Sequence, residues 1–208
     1  MSLPTNLSKR HFDRLVDTTS RGRTYLQVLL RQVIKFVNEF VSSDVGTIKP
    51  SLALGSTPPT ALVFDVAAGL EFDAEAEKVC LIWQVPQMWD GESDMSLNLR
   101  WFGDGAIPDT KAVIWDISYR VKSVDDDVDA GTVATATATY TQAGAGVDAT
   151  LHETSITIDY DETNQPLVKG SYVIMLLNRD ITAEAGNSFA DGAVLADYDI
   201  TYTVDLEQ

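Results

Sequence analysis

From about residue 61 onward, apolar and polar positions alternate with period two. In 95–102, Met95, Leu97, Leu99 and Trp101 fall on one side, with Ser96, Asn98 and Arg100 on the other. In 112–121, Val113, Trp115, Ile117, Tyr119 and Val121 alternate with Asp116, Ser118 and Arg120. Similar segments run over 61–66, 78–85, 132–141, 151–160 and 194–204, and 171–178 is a continuous apolar run. Such alternation predicts antiparallel strands with one wet face. Turn chemistry separates them at Asp90-Gly91, Gly103-Asp104-Gly105, Gly144-Ala145-Gly146 and Asp161 to Pro166. Mainly β, eight-stranded and antiparallel, the pattern predicts a jelly-roll-like β-sandwich. An immunoglobulin-like sandwich is the alternative, but its Cys…Trp…Cys spacing is absent.

The first residues follow a different period. Leu26, Leu30, Val33, Val37 and Phe40 step by four, three, four and three, the spacing of a coiled-coil seam. This predicts a helix over about 24–41, after a shorter one over 8–18. Ser42-Ser43-Asp44 and Gly46 end it, and Pro50, Pro58 and Pro59 keep the chain extended. The expected organisation is an N-terminal α-helical arm over 1–49, a linker over 50–60 and the sandwich over 61–208.

Charge divides the chain in the same place. Residues 1–49 hold eight bases and four acids, a net +4, whereas residues 50–208 hold seven bases and 27 acids, a net −20. So acidic a body repels nucleic acid and anionic membrane, so neither is an expected partner. A basic arm beside it can dock on acid, including a neighbouring copy. The seam residues Leu26, Leu30, Val33, Val37 and Phe40, with Arg21, Arg23 and Arg31 as carboxylate partners, are the expected oligomer interface.

Candidate chemistry is sparse. No G-x-S-x-G, H-E-x-x-H, P-loop or G-x-G-x-x-G motif occurs. The expectation is a protein that is not an enzyme and carries no cofactor. Asp125, Asp126, Asp127 and Asp129 crowd one loop and are calcium candidates, though they lack an EF-hand pattern, and a solvated acidic turn is the alternative. Cys80, the single cysteine, sits in an apolar run and reads as a small buried hydrophobe, and His152 as a structural residue on a strand. Trp83, Trp101 and Trp115 sit at core positions of their strands. Trp89 lies in a loop, where it can contact a sugar or partner, or fold back to plug the end of the sandwich.

One stretch carries a family signature. Pro86-Gln87-Met88-Trp89-Asp90-Gly91-Glu92-Ser93-Asp94 fits P-x-x-W-D-G-x-S-D, and the strand that follows ends in the aromatic pair Trp101-Phe102. Trp115 and Tyr119 then make W-x-x-x-Y, Ile156 to Asp161 make I-x-I-D-Y-D, and Arg179-Asp180 close the series. Residues 60–208 thereby resemble structural proteins of tailed-bacteriophage virions. The resemblance implies a jelly-roll domain on an N-terminal arm, trimeric assembly, and a role in capsid decoration, a head fibre or the tail. It implies other virion proteins, such as major capsid or tail proteins, as partners. It also implies synthesis in the host cytoplasm without a signal peptide, followed by residence in the virion. The matched positions read as fold determinants, so no functional residue is carried over. A carbohydrate- or receptor-binding sandwich, possible also for a phage fibre contacting a host-surface glycan, is the alternative function.

Overall fold

A computed structural model of the protein describes residues 45–64, 67–182 and 189–205. The expected arm helix, with its seam and with Arg21, Arg23 and Arg31, lies outside the described residues. Within them the alternating segments become strands: β1 (Val45–Ile48), β2 (Ser51–Leu54), β3 (Thr60–Phe64), β4 (Ala67–Phe72), β5 (Lys78–Gln84), β6 (Met95–Gly103), β7 (Ala112–Lys122), β8 (Ala134–Thr141), β9 (His152–Ile158), β10 (Tyr172–Asp180) and β11 (Ala193–Thr203). They form two sheets, one ordered β3-β4-β11-β6-β9 with β1 also on β11, the other β2-β5-β10-β7-β8. Each pairing is antiparallel. Taking β4 to β11 alone, one sheet reads β4-β11-β6-β9 and the other β5-β10-β7-β8. That is the strand order of a jelly-roll-like sandwich, whose first and last strands lie side by side.

Among the described residues, eleven strands replace the expected eight. Seven of the expected ones coincide with β5 to β11. The eighth, 61–66, is the edge strand β3, and the sandwich itself opens with β4. Ala67, Ala68 and Gly69 hide β4 from a pattern reading, because strands announce themselves through large and β-branched side chains. Gly69 is there for lack of room: a Cβ would stand 2.4 Å from the Leu195 carbonyl oxygen of the neighbouring strand. The linker is also shorter than expected. β1 and β2 occupy 45–48 and 51–54, packing Ile48 and Leu52 on the core. Lys49 holds the gap beside β11 by donating to the Asp197 carboxylate and the Tyr198 carbonyl.

The predicted inward faces of β6 and β7 do face inward. Met95, Leu97, Leu99 and Trp101 meet Val113, Trp115, Ile117 and Tyr119 in one core cluster. Trp101 and Trp115 pack edge to face at 6.1 Å, and Phe72 meets Trp115 at 5.3 Å, the geometry the ring quadrupoles favour. On β11 the alternation is interrupted. A bulge between Leu195 and Asp197 shifts the register, so Ala193 and Leu195 join the core before it, and Tyr198, Ile200 and Tyr202 pack inward after it. The uninterrupted alternation expected from Val194 onward therefore holds only beyond the bulge.

Candidate functional site

The signature loop is built for structure. Trp89 is 1% exposed, donates from Nε1 to the Ser93 carbonyl at 3.0 Å, and bridges to Val204. It plugs one end of the sandwich and offers no platform to a ligand, which corrects the reading of Trp89 as a contact residue. Asp90 accepts hydrogen bonds from the Glu92 and Ser93 amides and from the Ser93 hydroxyl. Burial opposes its charge, but those donors together hold its carboxyl below the usual carboxylate range. Gly91 takes the left-handed backbone the turn needs, with φ of 88°. Asp94 accepts from the Tyr160 amide at 3.1 Å and so ties this loop to the end of β9.

Two of the four aspartates of the β7–β8 loop spend an oxygen locally. Asp126 accepts from the Ser123 amide at 2.7 Å, and Asp127 from the Asp129 amide at 3.0 Å. Asp125 and Asp129 stand exposed on the same turn. Among the described residues no three His, Cys, Asp or Glu side chains converge on a point that could hold a metal. The loop itself is firmly placed. Gln165 accepts from the Val121 amide and donates to the Thr132 carbonyl, each at 2.6 Å, while Lys122 donates to the Ala130 carbonyl at 2.6 Å.

The two outer faces of the sandwich differ in kind. On the β6 sheet the rows read Ser155–Asn98–Asp199 and Glu153–Arg100–Asp197. Ser155 donates to Asn98, which donates to Asp199 at 2.8 Å, and Arg100 reaches Asp199 at 2.7 Å and Asp197 at 3.0 Å. The Lys49 bond, with help from Arg100, holds the Asp197 carboxyl below its ordinary range, and the Asp199 bond raises Arg100. This face is a wired polar surface.

The outer face of the β10 sheet is aliphatic over β5 and β10. Register sets Ile174 between Ile82 and Arg120, and Leu176 between Cys80 and Ser118. Ile82 is 37% and Leu176 38% exposed, and Tyr172 continues the patch. The β7–β8 loop overhangs it with Val128, 53% exposed, and Val133. Floor and overhang together enclose a groove of about 530 Å³. Arg120 and Asp129 stand among its lining, Arg120 donating to the Val128 carbonyl at 3.4 Å. Cys80, expected in the core, lies on this outer face and is half-buried, and burial pushes its thiol up. The groove was missed in the sequence, yet it left a trace there. β5 and β10 are apolar on both faces, and a strand apolar on both faces marks an outer side to be covered.

No family model matches the chain. No curated protein matches it either. Solved structures similar over most of its length include three of known description. The CBM36-1 domain of a multidomain xylanase from the hindgut metagenome of Trinervitermes trinervoides is 13% identical, with a TM-score of 0.37 over 78% of this chain and 99% of that one. The xylan-binding module CBM15 is 13% identical, with a TM-score of 0.39 over 77% and 97%. The enzymatically active domain of tailspike protein 4 of bacteriophage CBA120 is 11% identical, with a TM-score of 0.30 over 78% of this chain and 20% of that one.

Proposed function

We propose that the protein is a non-catalytic structural component of a bacteriophage virion, assembling as an oligomer, most simply a trimer, through its N-terminal arm and the side of its sandwich. The observation that carries the assembly part is the aliphatic outer face of the β10 sheet. A protein with 31 acids and 15 bases has no shortage of polar residues to put there. Apolar patches that stay exposed on such a surface serve as contact surfaces. The virion part is supported by the signature of residues 86–94 and its companions, whose side chains prove to be fold determinants. Sedimentation of the full chain over a range of concentrations tests the first part, with a monomer at every concentration against it. Mass spectrometry of purified particles from the source tests the second, and absence of the chain from intact virions would sink it.

A second reading, carbohydrate or receptor binding, is favoured by the outer face of the β6 sheet. Arg100, Asn98 and Asp199 set guanidinium, amide and carboxylate in a compact patch, groups that pair with sugar hydroxyls. The four tryptophans give it no support, since all are buried. Glycan-array binding that is lost in Arg100→Ala would favour this reading over assembly alone.

A further inference from the structure

We infer that the groove on the outer face of the β10 sheet receives the basic amphipathic segment 24–41 of a neighbouring copy. This deepens the assembly reading above and rests on it. Three observations select this occupant. The first is shape. As the helix its heptad spacing predicts, Leu26 to Phe40 would extend about 21 Å at 1.5 Å per residue. The sheet β2-β5-β10-β7-β8 is about 19 Å across at the usual strand spacing. Laid across the sheet, the middle of that stripe would meet Ile82, Ile174 and Leu176 on β5 and β10, in the way amphipathic helices fill apolar grooves.

The second is charge. Asp129 lines the groove, and the same β7–β8 loop carries Asp125, Asp126 and Asp127 beside it, all exposed. The two bases beside it, Arg120 and Lys122, are directed to the loop's own carbonyls at Val128 and Ala130. Segment 24–41 brings Arg31 and Lys35 against one acid, Glu39, with Arg21 and Arg23 just ahead of it. A second sandwich pressed onto the same face would instead set one aspartate loop against another. The third is extent: the 44 residues ahead of β1 carry the heptad-spaced Leu26 to Phe40, which as a helix would form an apolar stripe in need of cover.

Cys80 supplies the test, because it lies beside Leu176 on the floor and is the chain's single thiol. Full-length Leu30→Cys/Cys80→Ser chains are mixed with wild-type chains and treated with a short bismaleimide. Cross-links between position 30 and Cys80 can then form only between copies. The expected product is a covalent pair of twice the chain mass that peptide mapping shows to join position 30 to Cys80, and that neither chain gives alone. In parallel, Leu176→Asp, on an exposed side chain, should leave the far-UV spectrum unchanged. It should raise the oligomer dissociation constant on the order of a hundredfold, as a charge driven into an apolar contact does. Leu30→Asp should speed maleimide labelling of Cys80 about tenfold or more, the groove being uncovered. An oligomer that gives no position-30 product and tolerates Leu176→Asp overturns the inference while the assembly reading stands. An oligomer with Cys80 protected but no such product means that another sandwich, or the chain's own segment 24–41, covers the groove, which also overturns it. A full chain monomeric at all concentrations overturns both.

Discussion

Arg179 offers the sharpest test of how this sandwich is held closed. Its guanidinium is 1% exposed on β10 and carries its charge into the end of the core. It donates to the Phe72 carbonyl at 3.0 Å, to the Asp191 carbonyl at 2.6 Å and to the Phe189 carbonyl, and stands 5.6 Å from the Phe189 ring. Three segments are thus tied by one side chain: the end of β4, and two points of the chain leading into β11. Burial pushes its pKa down to about 10, which still leaves it charged at neutral pH. Two effects compete on replacement by methionine. Removing the charge relieves a desolvation cost of several kcal/mol. Losing the donors leaves three carbonyls unpaired, at about 1–3 kcal/mol each, and forfeits bonds to a charged donor worth about 1.5–3 kcal/mol each. The bonds outnumber the charge three to one, so after the desolvation it relieves Arg179→Met should still cost about 3–5 kcal/mol. For a unit of this size that lowers Tm by roughly 10 °C or more. Arg179→Lys keeps the charge but not the planar fork, and should fare no better than methionine. Urea titration followed by circular dichroism measures both. A methionine variant within about 1 kcal/mol of wild type would show that the bonds only offset desolvation, and would refute this account.

Trp89→Ala should destabilise the protein by ~3–5 kcal/mol, like other buried aromatic truncations. Native tryptophan emission should be blue-shifted and resist iodide quenching, whereas red-shifted, quenchable emission would contradict the packing of all four indoles. Burial lowers the His152 pKa from its ordinary value of 6.5, so the unfolded chain binds the proton more readily. Wild type should therefore lose stability as pH falls below about 6.5, and His152→Gln should lose less over the same range, measured as the difference between paired urea curves. If the two proteins track each other between pH 7 and 5, the ring is solvated in the folded state. Gly69→Ala should cost about 1–3 kcal/mol, since its methyl group would press on the β11 backbone. An unchanged urea midpoint would mean that β4 can move aside at no cost.

Much of the sandwich was legible because its physics is local. Period-two alternation over β6, β7 and β9 requires only that one face of each strand be buried, and it identified Met95 to Trp101 and Val113 to Tyr119 as core before any pairing was known. Turn residues such as Asp90-Gly91 marked connections for equally local reasons. Sheet membership, by contrast, is a property of pairs of strands distant in sequence, so the order β4-β11-β6-β9 could not be read from either member. β4 escaped notice because Gly69 serves a close approach to Leu195, a constraint imposed wholly by the neighbouring strand. The bulge at Leu195–Asp197 likewise arises from pairing with β6, and it moved the inward positions of β11 by one. Trp89 shows the same division: composition marked it as an aromatic in a loop, but only the meeting of that loop with Val204 decided that it is buried. For the candidate site, β5 and β10 already carried the apolar outer positions in their sequences. What made them a groove was the β7–β8 loop folding over them, held there by Gln165, a residue more than thirty positions further along the chain.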